Sequence, residues 1–282
     1  MKDLKEKIMK LVFIMAAAAS IVAAALICIF LFATGIPAIA EIGVTEFIFG
    51  TEWRPANDVY GIFPMIVGSI YVTLGALVLG VPIGILTAIF MVEFCPLKVY
   101  RVMKPLTNLM AGIPSVVYGF FGLVVLVPFI RDAFGGRGMS VLTASVLLAL
   151  MILPTIISMS ESAIRAVPRS YYEGGLALGA SHERSVFFTV VPAAKSGIFA
   201  GVTLGLGRAI GETMAVMMVA GNQPVVPGSL LDGVRTLTTN IVMEMGYSTD
   251  LHREALIATA VILFVFVLII NLTFSLLKRR AR

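Results

Sequence analysis

The 282-residue chain is 59% hydrophobic and 13% charged, with a mean hydropathy of +1.01; this excludes a soluble globular protein and describes an integral membrane one. Its net charge of +5 follows from the placement of basic residues relative to a membrane, as set out below, so it gives no reason to expect a nucleic-acid partner. Cys28 and Cys95 fall at different depths, His182 and His252 fall on opposite sides, and no G-x-x-x-x-G-K-S/T run occurs, so a disulfide framework, a metal centre and a phosphate-loop nucleotide site are not expected, nor is any cofactor.

Six apolar stretches are long enough to cross a hydrocarbon layer, which takes about 20 helical residues: 11–33, 64–91, 105–129, 141–160, 196–221 and 255–277. They are too long and too uniformly apolar for barrel strands, and a helix satisfies its own backbone in lipid. The expected fold is therefore all-α, a polytopic membrane protein with six transmembrane helices. Residues 1–10 form a charged leader. Ala38-Ile39-Ala40 looks like a signal-peptidase site, yet 11–33 exceeds the roughly 7–15 residues of a signal h-region and reads as an uncleaved anchor. A turn-rich external loop follows, with Pro55, Asn57, Asp58 and Gly61. The chain divides into this N-terminal anchor with its loop, 1–57, and a transmembrane domain, 58–282.

Orientation follows from the basic residues. With the N-terminus inside, fifteen Lys and Arg lie in the cytoplasm: Lys2, Lys5, Lys7 and Lys10; Lys98, Arg101 and Lys104; Arg165, Arg169, Arg184 and Lys195; and Lys278, Arg279, Arg280 and Arg282. Five lie outside (Arg54, Arg131, Arg137, Arg235 and Arg253), and Arg208 falls within a span. The bias agrees across every inner loop, which places both termini in the cytoplasm.

Spans one and six contain no proline and are expected to face lipid. The second carries Gly68, Gly75, Gly80, Pro82 and Gly84, the third Pro114, the fourth Pro154, and the fifth Gly201, Gly205, Gly207 and Gly211. Glycines let helices approach closely, and helix breakers are tolerated at membrane depth only beside protein or a water-filled route, so spans two to five are expected to form the interior. In the fifth, Arg208 and Glu212 each cost at least about 2.5 kcal/mol at a helix centre in lipid and must face protein or water. At i and i+4 they are expected to share a helix face. They then form either an internal ion pair or a site where Arg208 offers donors to an oxyanion while Glu212 holds the guanidinium between passages. Thr73, Ser115, Tyr118 and Thr213 are weaker hydroxyl candidates on the same route, since a hydroxyl in a membrane helix also bonds its own backbone. After this span, 222–254 is an external segment that includes a stretch able to form a short helix.

The one long polar interval of the second half is 167–192. Pro168 suits the start of a short helix and Gly179 its left-handed end; Ser181 and Glu183 supply an N-cap and a first-turn carboxylate for a second, which Pro192 is expected to terminate. Glu173, Gly174, Gly175, Gly179 and Pro192 stand at the spacing of the EAA loop of ABC importer permeases, which they resemble, with Gly174-Gly175 replacing two alanines and Thr189-Val190-Val191 standing where Ile-x-Leu is usual. Read alone, the interval also suits an ordinary interfacial hairpin. The likeness extends to Tyr60–Pro64, Ala111–Gly119 and Gly205–Thr213, which look like the permease subunits of the phosphate-specific ABC importer, the PstC type above all, over about 58–277.

The resemblance implies the MetI-like architecture of a type I ABC importer permease in the cell inner membrane, with no ATP hydrolysis of its own. It implies coupling to an ATPase through Glu173, Gly174, Gly175, Gly179 and Pro192, and a role in transport for Arg208 and Glu212. The implied partners are a second, PstA-like permease subunit, two PstB-like ATP-binding subunits and an extracytoplasmic PstS-like phosphate-binding protein. Rival readings are a permease for molybdate, sulfate or an amino acid, and an ion-coupled secondary transporter; the latter calls for broken helices paired in two inverted halves.

Overall fold

The computed structural model describes residues 2–280; the side chains of Lys2, Lys278, Arg279 and Arg280, and the whole of Arg282, all counted above, lie outside the described residues. The helices are α1 Lys2–Ile42, α2 Val44–Phe49, α3 Phe63–Ile89, α4 Leu97–Gly112, α5 Ser115–Phe121, α6 Val127–Phe134, α7 Val141–Arg165, α8 Arg169–Ala177, α9 His182–Ser185, α10 Val191–Gly211, α11 Met214–Val219, α12 Leu237–Glu244 and α13 Asp250–Arg280. A small antiparallel hairpin pairs β1 (Trp53–Arg54) with β2 (Val59–Tyr60). Six stretches of continuous helix are long and apolar enough to span a membrane: Lys5–Ile42, Phe63–Phe94, Ser115–Phe134, Val141–Arg165, His182–Gly211 and Asp250–Thr273. The fold is all-α with six spans, as the hydropathy pattern predicts.

Several boundaries differ from the sequence expectation, and proline or glycine chemistry explains three of them. The third span begins at Ser115 rather than at 105, because Pro114 lacks an N–H and drives Ile113 into extended backbone (ψ 126°), so α4 stops at Gly112. Pro192 does not terminate the second helix of the polar interval. A π-turn over Val186–Val190 carries α9 into α10, the Val191 N–H reaching back to the Val186 carbonyl, and the wider turn absorbs the proline. The same arrangement joins α5 to α6 through Gly122–Leu126, directly ahead of Pro128. Span five, expected to run unbroken to 221, ends at Gly211; Glu212 is extended (ψ 128°) and α11 is a separate helix.

Helix α7 is the hub, with α3 and α10 packed against it through glycines. A Cβ on Gly84 would lie 2.7 Å from Ile156 Cγ2, and one on Gly201 2.8 Å from Met159 Cβ, so no larger residue fits either crossing. Span one exposes its most apolar stretch, in keeping with a lipid-facing helix. Span six is only half so. Ala255, Leu256 and Ala258 near its N-terminal end are buried against α1, α2 and the β-hairpin, whereas Leu268, Ile269 and Leu272 farther along are exposed.

Candidate functional site

The break in span five organises the first candidate region. Glycine is a poor helix former, and with Gly205, Gly207 and Gly211 in seven residues the end of α10 has little intrinsic preference to continue. The Glu212 carboxylate accepts the Ala215 N–H at 3.2 Å and so caps α11 with a negative charge at its start. Because Glu212 is extended, it does not share a helix face with Arg208, and the expected ion pair does not form. Among the described residues Arg208 makes no ion pair. It is half-buried in the last turn of α10.

Tyr118 is buried and donates its hydroxyl to the Met110 carbonyl at 2.9 Å. That carbonyl would bond residue 114 in an unbroken helix, but Pro114 has no N–H; the tyrosine takes its place and fastens the α4–α5 break. Thr213 donates to the Gly211 carbonyl at 3.2 Å. Thr73 and Glu212 meet at a small cavity of about 10 Å³ that Ser69 and Thr236 also line. Ser115 is half-buried at the start of α5. Of the route candidates, the structure thus brings Thr73 and Glu212 together at one cavity.

The polar interval folds as its residues dictate. Gly179 (φ 82°) ends α8, with Gly179 N–H bonded to the Leu176 carbonyl at 2.9 Å and Ala180 N–H to the Gly175 carbonyl at 3.2 Å, so both orphan carbonyls are satisfied. Ser181 caps α9, accepting the Arg184 N–H at 3.3 Å. The two helices touch where Gly175 meets Ser185; a Cβ there would lie 2.6 Å from the hydroxyl oxygen, whereas Gly174 faces open space. Tyr172 and His182 share a 2.8 Å hydrogen bond, and Phe94 stands edge-on to the imidazole at 4.8 Å, seating the hairpin just beyond the C-terminal end of α3. Glu173 is exposed, and Leu178 and Phe188 are 91% and 77% exposed. Large apolar side chains held this far out form a surface suited to a protein partner.

Two buried carboxylates escaped the sequence reading. Glu161 on α7 accepts from Tyr100 (2.7 Å) and Lys104 (2.8 Å) of α4 and from Arg165 (3.1 Å). Glu244, at the end of α12, accepts from Arg235 (2.6 Å) and from the Trp53 indole (2.8 Å), and meets His252 Nε2 at 2.9 Å, which joins the β-hairpin, α12 and α13 into one cap over the N-terminal end of α3. The Glu161–Arg165 spacing at the end of a span was the only local signal for either. In the cap, burial, a hydrogen bond to Asp58 and that residue's charge push the Tyr60 phenol up to about 12. Burial and the charge of Glu244 raise Tyr247 as well, against a smaller opposing effect of Arg235.

Six spans with a glycine-packed interior, an interrupted charged helix and an exposed two-helix hairpin define a membrane-embedded permease. Residues 80–282 match the family described as binding-protein-dependent transport system inner membrane component, and the chain belongs to that family. It is 41% identical over 262 residues to the probable ABC transporter permease protein YqgH of Bacillus subtilis, covering 89% of this chain and 85% of that protein. It is 34% identical over 265 residues to the phosphate transport system permease protein PstC of Mesorhizobium japonicum, covering 86% and 81%. Among solved structures it resembles the MetNI methionine ABC transporter in inward-facing form (TM-score 0.59, 22% identity, 79% and 94% covered). It also resembles a bacterial ABC transporter that imports the polysaccharide alginate (TM-score 0.64, 14% identity, 94% and 95% covered). These likenesses establish the fold as that of type I ABC importer permeases.

Proposed function

We propose that the chain is the permease subunit of an ATP-driven importer that moves inorganic phosphate across the inner membrane. The observation that carries the choice of phosphate is the match over most of the chain to relatives named as phosphate permeases. Arg208 supports it, since a half-buried guanidinium without a carboxylate partner among the described residues suits a tetrahedral oxyanion better than a neutral or cationic solute. Glu212 holds α11 in place above it, and Tyr118, Thr73, Ser115 and Thr213 lie along the route.

The hairpin built on Glu173, Gly174, Gly175 and Gly179 docks into an ATP-binding subunit in the cytoplasm. Leu178 and Phe188 supply apolar contact, and Pro192 marks where the docking element becomes span five. ATP binding and hydrolysis belong to two PstB-like subunits. A PstA-like permease completes the membrane unit and a PstS-like protein delivers phosphate to the outer face. Residues 1–57 anchor and cap the transport domain, 58–282. The basic-residue bias supports cytoplasmic termini and an outer cap in the extracytoplasmic space.

The test is reconstitution with the three partner components in vesicles and measurement of ATP-dependent uptake of phosphate beside sulfate, molybdate and an amino acid. Uptake of phosphate above the others is the expected result. Uptake of another solute in its place would overturn the choice of substrate while leaving the family assignment untouched.

A further inference from the structure

Segment 222–254 is not a simple outer connector. It turns back into the protein before α12 begins: Val234 N–H pairs with the Ala220 carbonyl at 2.7 Å, and Leu237 N–H then donates to Ser69 Oγ at 3.0 Å. Ser69 is six residues inside α3 from Phe63, about 9 Å below its outer end at 1.5 Å per residue. Backbone at this depth persists only where protein surrounds it, and Leu237, Thr238, Thr239 and Asn240 are all buried. Thr238 donates its hydroxyl to the Glu212 carbonyl at 3.1 Å, at the break in span five. The cavity beneath α12, about 10 Å³, has room for about one water molecule and none for a tetrahedral oxyanion. At its other end α12 is tied through Glu244 to the outer cap.

We infer that α12 is a re-entrant outer gate and that Thr238 is a positioning residue for transport, latching the gate to Glu212 so that the two part when the anion enters from outside. The inference rests on the phosphate-import reading. The latch is polar on both sides: Ser69 holds the start of α12 and Thr238 holds the interrupted helix, so parting them exposes a hydroxyl-lined route leading to Arg208. Because α12 is tied through Glu244 to the cap, which takes in the β-hairpin and the start of span six at His252, a soluble protein that lands on the cap acts on the latch.

The test uses the full complex in vesicles. Thr238→Val keeps the shape and removes the donor; Thr238→Ser keeps the donor. Three quantities are read: phosphate uptake, ATP hydrolysis without the binding protein, and labelling of a Val216→Cys reporter in the cavity wall by an impermeant thiol reagent added outside. With Thr238→Val, hydrolysis in the absence of binding protein is expected to rise several-fold, phosphate moved per ATP to fall several-fold, and position 216 to label in the resting complex. Thr238→Ser should match the parent in all three. A parent-like uptake-to-hydrolysis ratio in Thr238→Val, with position 216 still protected, would overturn the gate. Thr238→Ala repeats the test should the valine variant fail to assemble. If the parent complex hydrolyses ATP but carries no phosphate, the substrate reading fails on its own, and labelling at position 216 then decides the gate independently.

Discussion

Replacing Glu161 by glutamine tests whether the first half of α4 and the C-terminal end of α7 are held together by charge. The variant keeps the shape but leaves Lys104 and Arg165 without their counter-ion and Tyr100 with a neutral acceptor. Removing one partner of a fully buried pair costs about 3–5 kcal/mol, yet Lys104 is 29% and Arg165 47% exposed, so water compensates both in part. A hydrogen bond to a charged group contributes about 1.5–3 kcal/mol, and an exposed ion pair under about 1 kcal/mol. We therefore expect a loss of about 2 kcal/mol, most of it from Lys104 and Tyr100. Double-mutant cycles with Lys104→Met and Arg165→Met, read as thermal unfolding in detergent, should give a coupling of about 1–2 kcal/mol for the lysine and less than about 1 kcal/mol for the arginine. An arginine coupling larger than the lysine coupling, or a Glu161→Gln protein as stable as the parent, would refute the reasoning.

Three further outcomes follow from the geometry. Because Arg208 and Glu212 do not pair, Arg208→Gln should leave stability near the parent's while abolishing phosphate uptake, and adding Glu212→Gln should not restore it; restored uptake in the double variant would return the pair to a purely structural role. Gly174→Ala, in open space within α8, should stabilise the hairpin by about 0.5–1 kcal/mol, whereas Gly175→Ala, crowding Ser185, should destabilise it by about 1–3 kcal/mol; limited proteolysis of the hairpin ranks the two. Tyr60 holds its proton to about pH 12 in the folded protein against an ordinary 10, so the folded state binds the extra proton above pH 10. Its contribution to stability is complete below pH 10 and lost as pH rises through 12, and tyrosinate absorbance compared with Tyr60→Phe should show the missing step near 12.

The number and order of spans were legible because twenty-residue apolar runs have few alternatives in a membrane. What a proline does inside such a run was not. Pro114 breaks its helix, whereas Pro192 and Pro128 follow wide turns that let theirs continue, and the same residue type gives no local hint of which will occur. The turn and caps of the hairpin at 167–192 were readable, though not its end at Pro192, because caps and glycine turns are short-range signals, and Gly179 and Ser181 sit where those signals place them. The charged pair in span five was misread because an i, i+4 argument presumes an unbroken helix. The Glu244 hub had no local signature at all: its indole partner, Trp53, lies 191 residues away in the chain.

The π-turn at Val186–Val190 has a consequence for how the hairpin and the membrane helix are geared together. Such a turn holds one residue more than an α-helical turn, and each residue of an α-helix accounts for about 100° of rotation about its axis. The face presented by α9 is therefore offset by about that angle from the one an uninterrupted α-helix would give it relative to Arg208 and the glycines of α10. Deleting a single residue between 186 and 190 would leave the hydropathy of span five almost unchanged, yet it would swing Leu178 and the rest of the hairpin around the helix like the hand of a clock set wrong. The phase between the exposed apolar face of the hairpin and the faces of span five is thus carried by one inserted residue, at a position where composition alone gives no sign of it.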